Sequence, residues 1–393
     1  MDVAAVLLVA AEWKVLIGNK IWRWVAVILL GSWVLGLRLF SVPEAADGLL
    51  YLVRTVIYLG LIINGEMLFS PVKKWVFWAM AAFVGLGLGQ YIFLPDTRFL
   101  LSYGWDEHYW RLIGTVLDPN YMGVMMGMIV LFGIQVANLD SVSLTRSARN
   151  HRSLPRRRYL GFFDKVLSGF SSMVSETPSS VRLLVLLSLT SLVLTWSRAS
   201  WLAVLVSGIW YLVSEFGPST TLTCSRGLRP RVARARVRGS GVPADFSDEK
   251  SGYVRRKLGI LGTLAILGVG VWWLAPKPGG EGVNLLRTSS IQQRLLSWNQ
   301  AIGVWKQHPW LGVGFNNYGG RAPSSSWLLL LATLGVLGSL GILGEIREIG
   351  GIRNSKFWLG IIIMVSVHAI FNNTLFYPPV LGLVAMMRVR GAR

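Results

Sequence analysis

The chain of 393 residues is 53% hydrophobic and 15% charged, with a mean hydropathy of +0.51, a balance that excludes an ordinary soluble globular domain and makes the bilayer its solvent. The net charge of +20 sits mainly in Lys and Arg between apolar runs, which assigns it to membrane topology and anionic head groups rather than to a nucleic-acid partner. Cys224 is the only cysteine and no Cys/His group has zinc-ligand spacing, so an intrachain disulfide and a zinc site are both excluded.

In chain order, residues 1–18 are apolar but lack a basic leading region and contain Glu12 and Lys14. They read as a partly inserted or interfacial helix rather than a cleaved signal. Apolar runs long enough for a bilayer follow at 23–40, 49–69, 74–94, 120–137, 181–196, 201–216, 258–275, 327–344, 357–371 and 375–387, which predicts an all-α, polytopic membrane protein of about ten spans. The last two are short and separated around Asn372 and Asn373, so they read either as two spans or as one re-entrant hairpin. The whole chain, 1–393, reads as a single transmembrane domain, and no internal repeat is visible.

Two basic linkers set the orientation. Residues 138–180 carry Arg156, Arg157 and Arg158, and residues 217–257 carry Arg226, Arg229, Arg231, Arg234, Arg236 and Arg238. Both are expected in the cytoplasm, the second as a disordered, lipid-facing segment. Alternation then places Lys73, Lys74, Arg388, Arg390 and Arg393 inside. It places the break at Trp196–Ser200, residues 95–119, a large loop at 276–326 and the Asn372–Asn373 turn outside.

The outer loop carries Arg287, Arg294, Lys306 and Arg321 against the single acid Glu281, a cationic surface where topology does not call for one. Within it, residues 292–308 form an amphipathic helix with Leu295, Trp298, Ala301, Ile302 and Trp305 on one stripe; Pro309 ends it and Gly312 and Gly314 make the next turn. Such a helix either lies on the membrane surface or covers a pocket and turns Arg294 toward Arg198. Arg198, between two apolar helices, either snorkels to lipid phosphate or binds an anionic substrate. Asp118 and Pro119 read as a helix N-cap with proline at N1, following Arg111. His308 and His368, like His108, fall in the outer half and are of the residue type that can serve as a general base. There is no P-loop, dinucleotide turn, His-Glu-x-x-His or metal-like acidic pair, which leaves metal-independent chemistry or none.

Three stretches carry a resemblance: Arg111 through Asp118 and Tyr121; Thr195–Trp201, reading Thr-Trp-Ser-Arg-Ala-Ser-Trp; and Arg294 followed by Trp298, Ala301, His308, Pro309 and Gly312 to Asn316. Over residues 111–383 the chain resembles the O-antigen ligase and polymerase family of bacterial membrane glycosyltransferases. The resemblance implies a helical fold with an outward-facing cavity in the bacterial cytoplasmic membrane. It implies transfer of a glycan from an undecaprenyl-pyrophosphate-linked donor to a glycan or lipid acceptor, with no cofactor and no metal. Arg198 and Arg294 match the arginines that bind the donor pyrophosphate, with Arg111 as a further contact; planar guanidinium groups suit that role because they bind phosphate bidentately.

One departure stands out. The family's ligases carry a His-Asn pair where this chain reads Pro323-Ser324-Ser325-Ser326, so the base for the acceptor hydroxyl falls to His368, with Asp118 or His308 as other candidates. Arg321, Asn372 and Asn373 complete the set of expected site residues. A flippase or transporter of a lipid-linked glycan, suggested by Arg54 and Glu66 inside an apolar run, and an inactive relative that binds the lipid carrier are the competing readings.

Overall fold

The computed structural model describes residues 2–37, 42–69, 72–103, 105–106, 108–148, 179–216, 269–270, 273, 289–315, 323–348 and 355–388. Among them the chain is helical, without strands. Its helices are α1 (Asp2–Ala11), α2 (Trp13–Gly18), α3 (Lys20–Gly36), α4 (Val42–Phe69), α5 (Lys73–Phe93), α6 (Pro119–Ala148), α7 (Ser179–Leu194), α8 (Arg198–Phe216), α9 (Ser289–Gln307), α10 (Ser326–Glu348), α11 (Lys356–Phe371) and α12 (Pro378–Met387).

Among the described residues, four segments are long and apolar enough to cross a membrane: Gly48–Phe69, Lys74–Phe93, Pro119–Val136 and Ser326–Gly344. The apolar helices Ser179–Leu194, Lys356–Phe371 and Pro378–Met387 are shorter. Each expected run from 23–40 through 201–216, and from 327–344 onward, coincides with a helix among the described residues. The run at 258–275 lies outside them except for residues 269, 270 and 273, which are helical. The linkers at 149–178 and 217–257 also lie outside.

Helix ends follow local chemistry. The Asn19 side chain accepts from the Ile21 and Trp22 N–H groups at the start of α3, and Ser355 accepts from Trp358 at the start of α11. Proline opens α6 and α12, where a missing N–H costs nothing. The start of the basic linker, 138–148, is helical, because α6 runs past the apolar stretch. Residues 2–18 form two helices, and α1 docks on α4, where Asp2 forms an ion pair with Arg54 at 2.8 Å and accepts from the Tyr58 hydroxyl at 3.0 Å. That pair supplies Arg54, inside its apolar run, with a counter-charge.

The run expected at 327–344 lies in α10 and carries a break. Gly335 has φ 64° and ψ −171°, a conformation that L side chains do not adopt, and it breaks the helix near its middle. The segment that follows α9 fills the break. Val313 and Gly314 donate to the carbonyls of Ala332 and Thr333 at 3.0 and 2.9 Å, while Val336 and Leu337 donate to Pro309 and Trp310 at 2.9 and 3.2 Å. The backbone groups that the break would orphan are thereby paired, as a low-dielectric surrounding requires. Gly312 and Gly314, both at positive φ as expected for a turn, allow the close approach.

The largest apolar core joins α5, α6, α7, α8, α11 and α12, and a second joins α3, α4 and α10. One end of the bundle gathers the start of α6, the turn between α7 and α8, the start of α10 and the turn between α11 and α12; it is called here the pocket pole.

Candidate functional site

At the pocket pole, residues 110–117 are stitched to the end of α7. Leu112 donates its N–H to the Leu194 carbonyl at 3.0 Å, and Arg111, 4% exposed, donates through Nε to the Thr195 carbonyl at 3.1 Å. These bonds occupy carbonyls that the end of a helix leaves without intrahelical partners. The chain then reverses at Trp196, a non-glycine residue at φ 52°, and α8 begins at Arg198.

Behind that turn lies a closed polar network. Ser197 Oγ donates to Asn120 Oδ1 at 2.9 Å, and Ser200 Oγ donates to the Asn120 carbonyl at 2.8 Å. His368, wholly buried, stands between four elements: Nδ1 lies 2.7 Å from Thr374 Oγ1, and Nε2 lies 3.3 Å from Ser200 Oγ and 3.1 Å from Asn372 Nδ2. An Asn372 amide that donates to Nε2 leaves the proton on Nδ1, facing Thr374. A serine and a histidine at this distance form the core of a nucleophile-and-base pair, and here both are fully buried. Asn372 also ties the turn to α10, its carbonyl accepting from Ser326 N–H and Oγ at 3.2 and 3.0 Å.

Asp118 caps α6 as expected, accepting from the N–H groups of Asn120 at 2.6 Å and Tyr121 at 3.3 Å. Burial raises its carboxyl above the usual carboxylate range, against the opposing pull of those N–H groups and of Arg111. The Tyr121 ring stacks on Tyr377 at 3.8 Å between centroids, and the Tyr377 hydroxyl donates to the Val116 carbonyl at 2.7 Å. Burial, reinforced by the charge of Asp118, pushes that hydroxyl up as well.

In front of the network opens a cavity of about 300 Å³ lined by Arg198 and Ala199 of α8, Arg294 and Trp298 of α9, and Phe371 of α11. The Arg294 guanidinium lies over the Phe371 ring, 5.9 Å from its centroid, and the Trp298 ring lies 6.2 Å from the same ring. The first turn of α8 adds its helix dipole, positive end toward the cavity wall it forms. Two guanidinium groups, a helix start and apolar walls together suit an anion carried on an organic body.

The expected residues therefore divide. The fold brings Arg198 and Arg294 to one cavity, with the amphipathic helix, found at Ser289–Gln307, forming one wall of it. It places His368 and Asn372 behind that cavity and Asp118 and Arg111 in the scaffold beneath the α7–α8 turn. Asn373 follows in the turn, where its backbone carbonyl accepts from Phe376. His308 lies just beyond the far end of α9, fourteen residues from Arg294, roughly 20 Å at helical rise. Arg321 lies outside the described residues. Ser324, at the position of the missing pair, lies 3.0 Å from the Ser297 hydroxyl. Phe371 and Thr374 were not expected; the former hides in an apolar run and the latter carries no motif, so only contact reveals them.

No ion-holding group of three or more His, Cys, Asp or Glu side chains occurs among the described residues. The chain matches no protein-family model, no curated protein and no solved structure.

Proposed function

We propose that the chain is a multi-pass protein of the bacterial cytoplasmic membrane that transfers a glycan at the outer face, in the manner of the O-antigen ligases and polymerases of cell-surface polysaccharide assembly. The donor is an undecaprenyl-pyrophosphate-linked glycan, and the acceptor is a glycan or a lipid. One observation carries the reading: Arg198 and Arg294, far apart in sequence, line the same cavity with apolar and aromatic walls.

In the proposed reaction the acceptor hydroxyl oxygen attacks the anomeric carbon and the bond from that carbon to the pyrophosphate oxygen breaks. The hydroxyl proton passes to a base, and the lipid pyrophosphate leaves with the bonding electrons. Arg198 and Arg294 act on the leaving group, whose charge grows as the bond breaks; this is where fixed cations lower a barrier most. Neither His368 nor Asp118 lines the cavity, so the geometry favours His368 as a positioning residue that holds the first turn of α8 through Ser200.

The test is transfer by purified protein in nanodiscs, given the lipid-linked donor and candidate acceptors without added metal. Arg198→Ala and Arg294→Ala should each lower the rate roughly 100-fold or more while leaving the fold intact. Undiminished transfer by either variant would sink the assignment. A second reading, carrier binding without turnover, is favoured by the enclosure of His368 and by Ser324 in place of the expected histidine. Donor binding that depends on both arginines, with no product from any acceptor, would select it.

A further inference from the structure

A second cavity, of about 200 Å³, lies away from the arginine pocket and shares no lining residue with it. It lies among the helices α3, α4, α10, α11 and α12, and Leu29, Leu59, Leu330 and Ile361 are among its walls. Phe315 and Phe376, with ring centroids 5.8 Å apart, close it toward the pocket pole. At the other end stand Trp358 and Arg388. Native interiors leave few voids of this size, and an apolar cavity of even about 150 Å³ stays dry and takes hydrocarbon. The surrounding solvent of membrane-spanning helices is itself hydrocarbon chain. Leu343 both lines the cavity and is 42% exposed, which opens a lateral way in beside α10.

Charge identifies the occupant. Arg388 is held at the mouth by Nη1, which donates to the carbonyls of Ile62 and Ile63 at 2.9 and 3.0 Å. Lys356 begins α11 at the same end of the bundle, so two bases stand there with the nearby acid Glu66. Basic mouths between membrane helices on the cytoplasmic side attract anionic head groups. We propose that this cavity binds one anionic phospholipid of the cytoplasmic leaflet, with one acyl chain inside it and the phosphate at Arg388 and Lys356. The space suits part of a single acyl chain and is several times too small for a polyprenyl chain of carrier length. The inference rests on the membrane placement and on the orientation expected from the basic linkers, and is independent of glycan transfer.

The experiment is native mass spectrometry of the full chain in detergent, with phosphatidylglycerol or phosphatidylcholine added. One phosphatidylglycerol should be retained per chain, about tenfold more tightly than phosphatidylcholine. Ile362→Trp, or Leu59→Phe should the larger ring prevent folding, fills the cavity and should abolish retention of both lipids. Lys356→Gln should remove the preference for the anionic lipid while leaving residual binding; Arg388→Gln should do the same, with a melting curve to show that its helix contacts survive. Equal retention of the two lipids, retention unchanged in the filled variant, or displacement of the phospholipid by added polyprenyl phosphate would each overturn the proposal.

Discussion

The break in α10 and the pocket between α8 and α9 both place polar groups at the edge of an apolar bundle, and they resolve the problem in opposite ways. At the break, backbone meets backbone: residues 309–314 pair with the carbonyls and N–H groups around Gly335. At the pocket, Arg198 and Arg294 line a cavity wide enough to admit another molecule. The His368 network just behind the pocket belongs with the break, since both ring nitrogens have protein partners and the residue is wholly buried. Polar groups enclosed in the core specify the fold, and polar residues on a cavity wall can meet a ligand. Substitutions at closed sites should therefore cost stability first, and those at the pocket should cost ligand or rate first.

The largest expected effect falls on the break. Gly335→Ala puts a Cβ against the Trp310 carbonyl in a backbone region closed to L residues, and should cost at least about 3 kcal/mol. Size-exclusion profiles and thermal melts should show little folded protein; a normal melt would mean that the splice is not rigid.

Next comes His368→Ala, which leaves Thr374 and Asn372 without their ring partner and should cost about 2–4 kcal/mol. Donor affinity measured well below the melting point should fall less than in Arg198→Ala, and His368→Asn should recover part of the stability. A His368→Ala protein with a normal melt but no transfer would instead return the histidine to the reaction.

A smaller effect is expected at Asp118, where the sign follows from burial. Its folded-state pKa is raised, so the stability it contributes is complete below the unfolded value near 3.9 and is lost as pH rises through the folded value. Asp118→Asn keeps a capping side chain and carries no charge, so it should melt higher than wild type at pH 8 and lose the advantage near pH 3. A variant less stable at pH 8 would show that the ionised carboxylate is wanted there.

The smallest effect is expected at Asp96. Arg98 holds its carboxyl down to about 2 through hydrogen bonds, which by sign favours folding fully above the unfolded value near 3.9 and is lost as pH falls from there through 2. Both side chains are exposed, and solvent and salt screen the pair, so Asp96→Asn should leave the melting temperature unchanged at physiological salt. A clear drop would show that the 95–109 loop bears on the pocket pole.

Much of the fold was legible because a bilayer forces apolar residues into long runs, and runs survive in a one-dimensional reading. The capping role of Asp118 and the helix containing Arg294 and Trp298 were legible for the same local reason, since caps and helical stripes are set within a few residues. The site divided less predictably. His368, Asp118 and Arg111 have the residue types of chemistry, and their places in the scaffold follow only from what packs over them.

By itself the sequence determined the helical, bilayer-compatible character of the chain, its basic linkers and the two arginines worth testing, because those depend on composition, charge and local spacing. Only the tertiary structure decided that Arg198 and Arg294 share one cavity, that His368 is enclosed and that α10 is broken. Each of these joins residues tens to hundreds of positions apart, and burial and partnership are properties of the neighbours rather than of the residue.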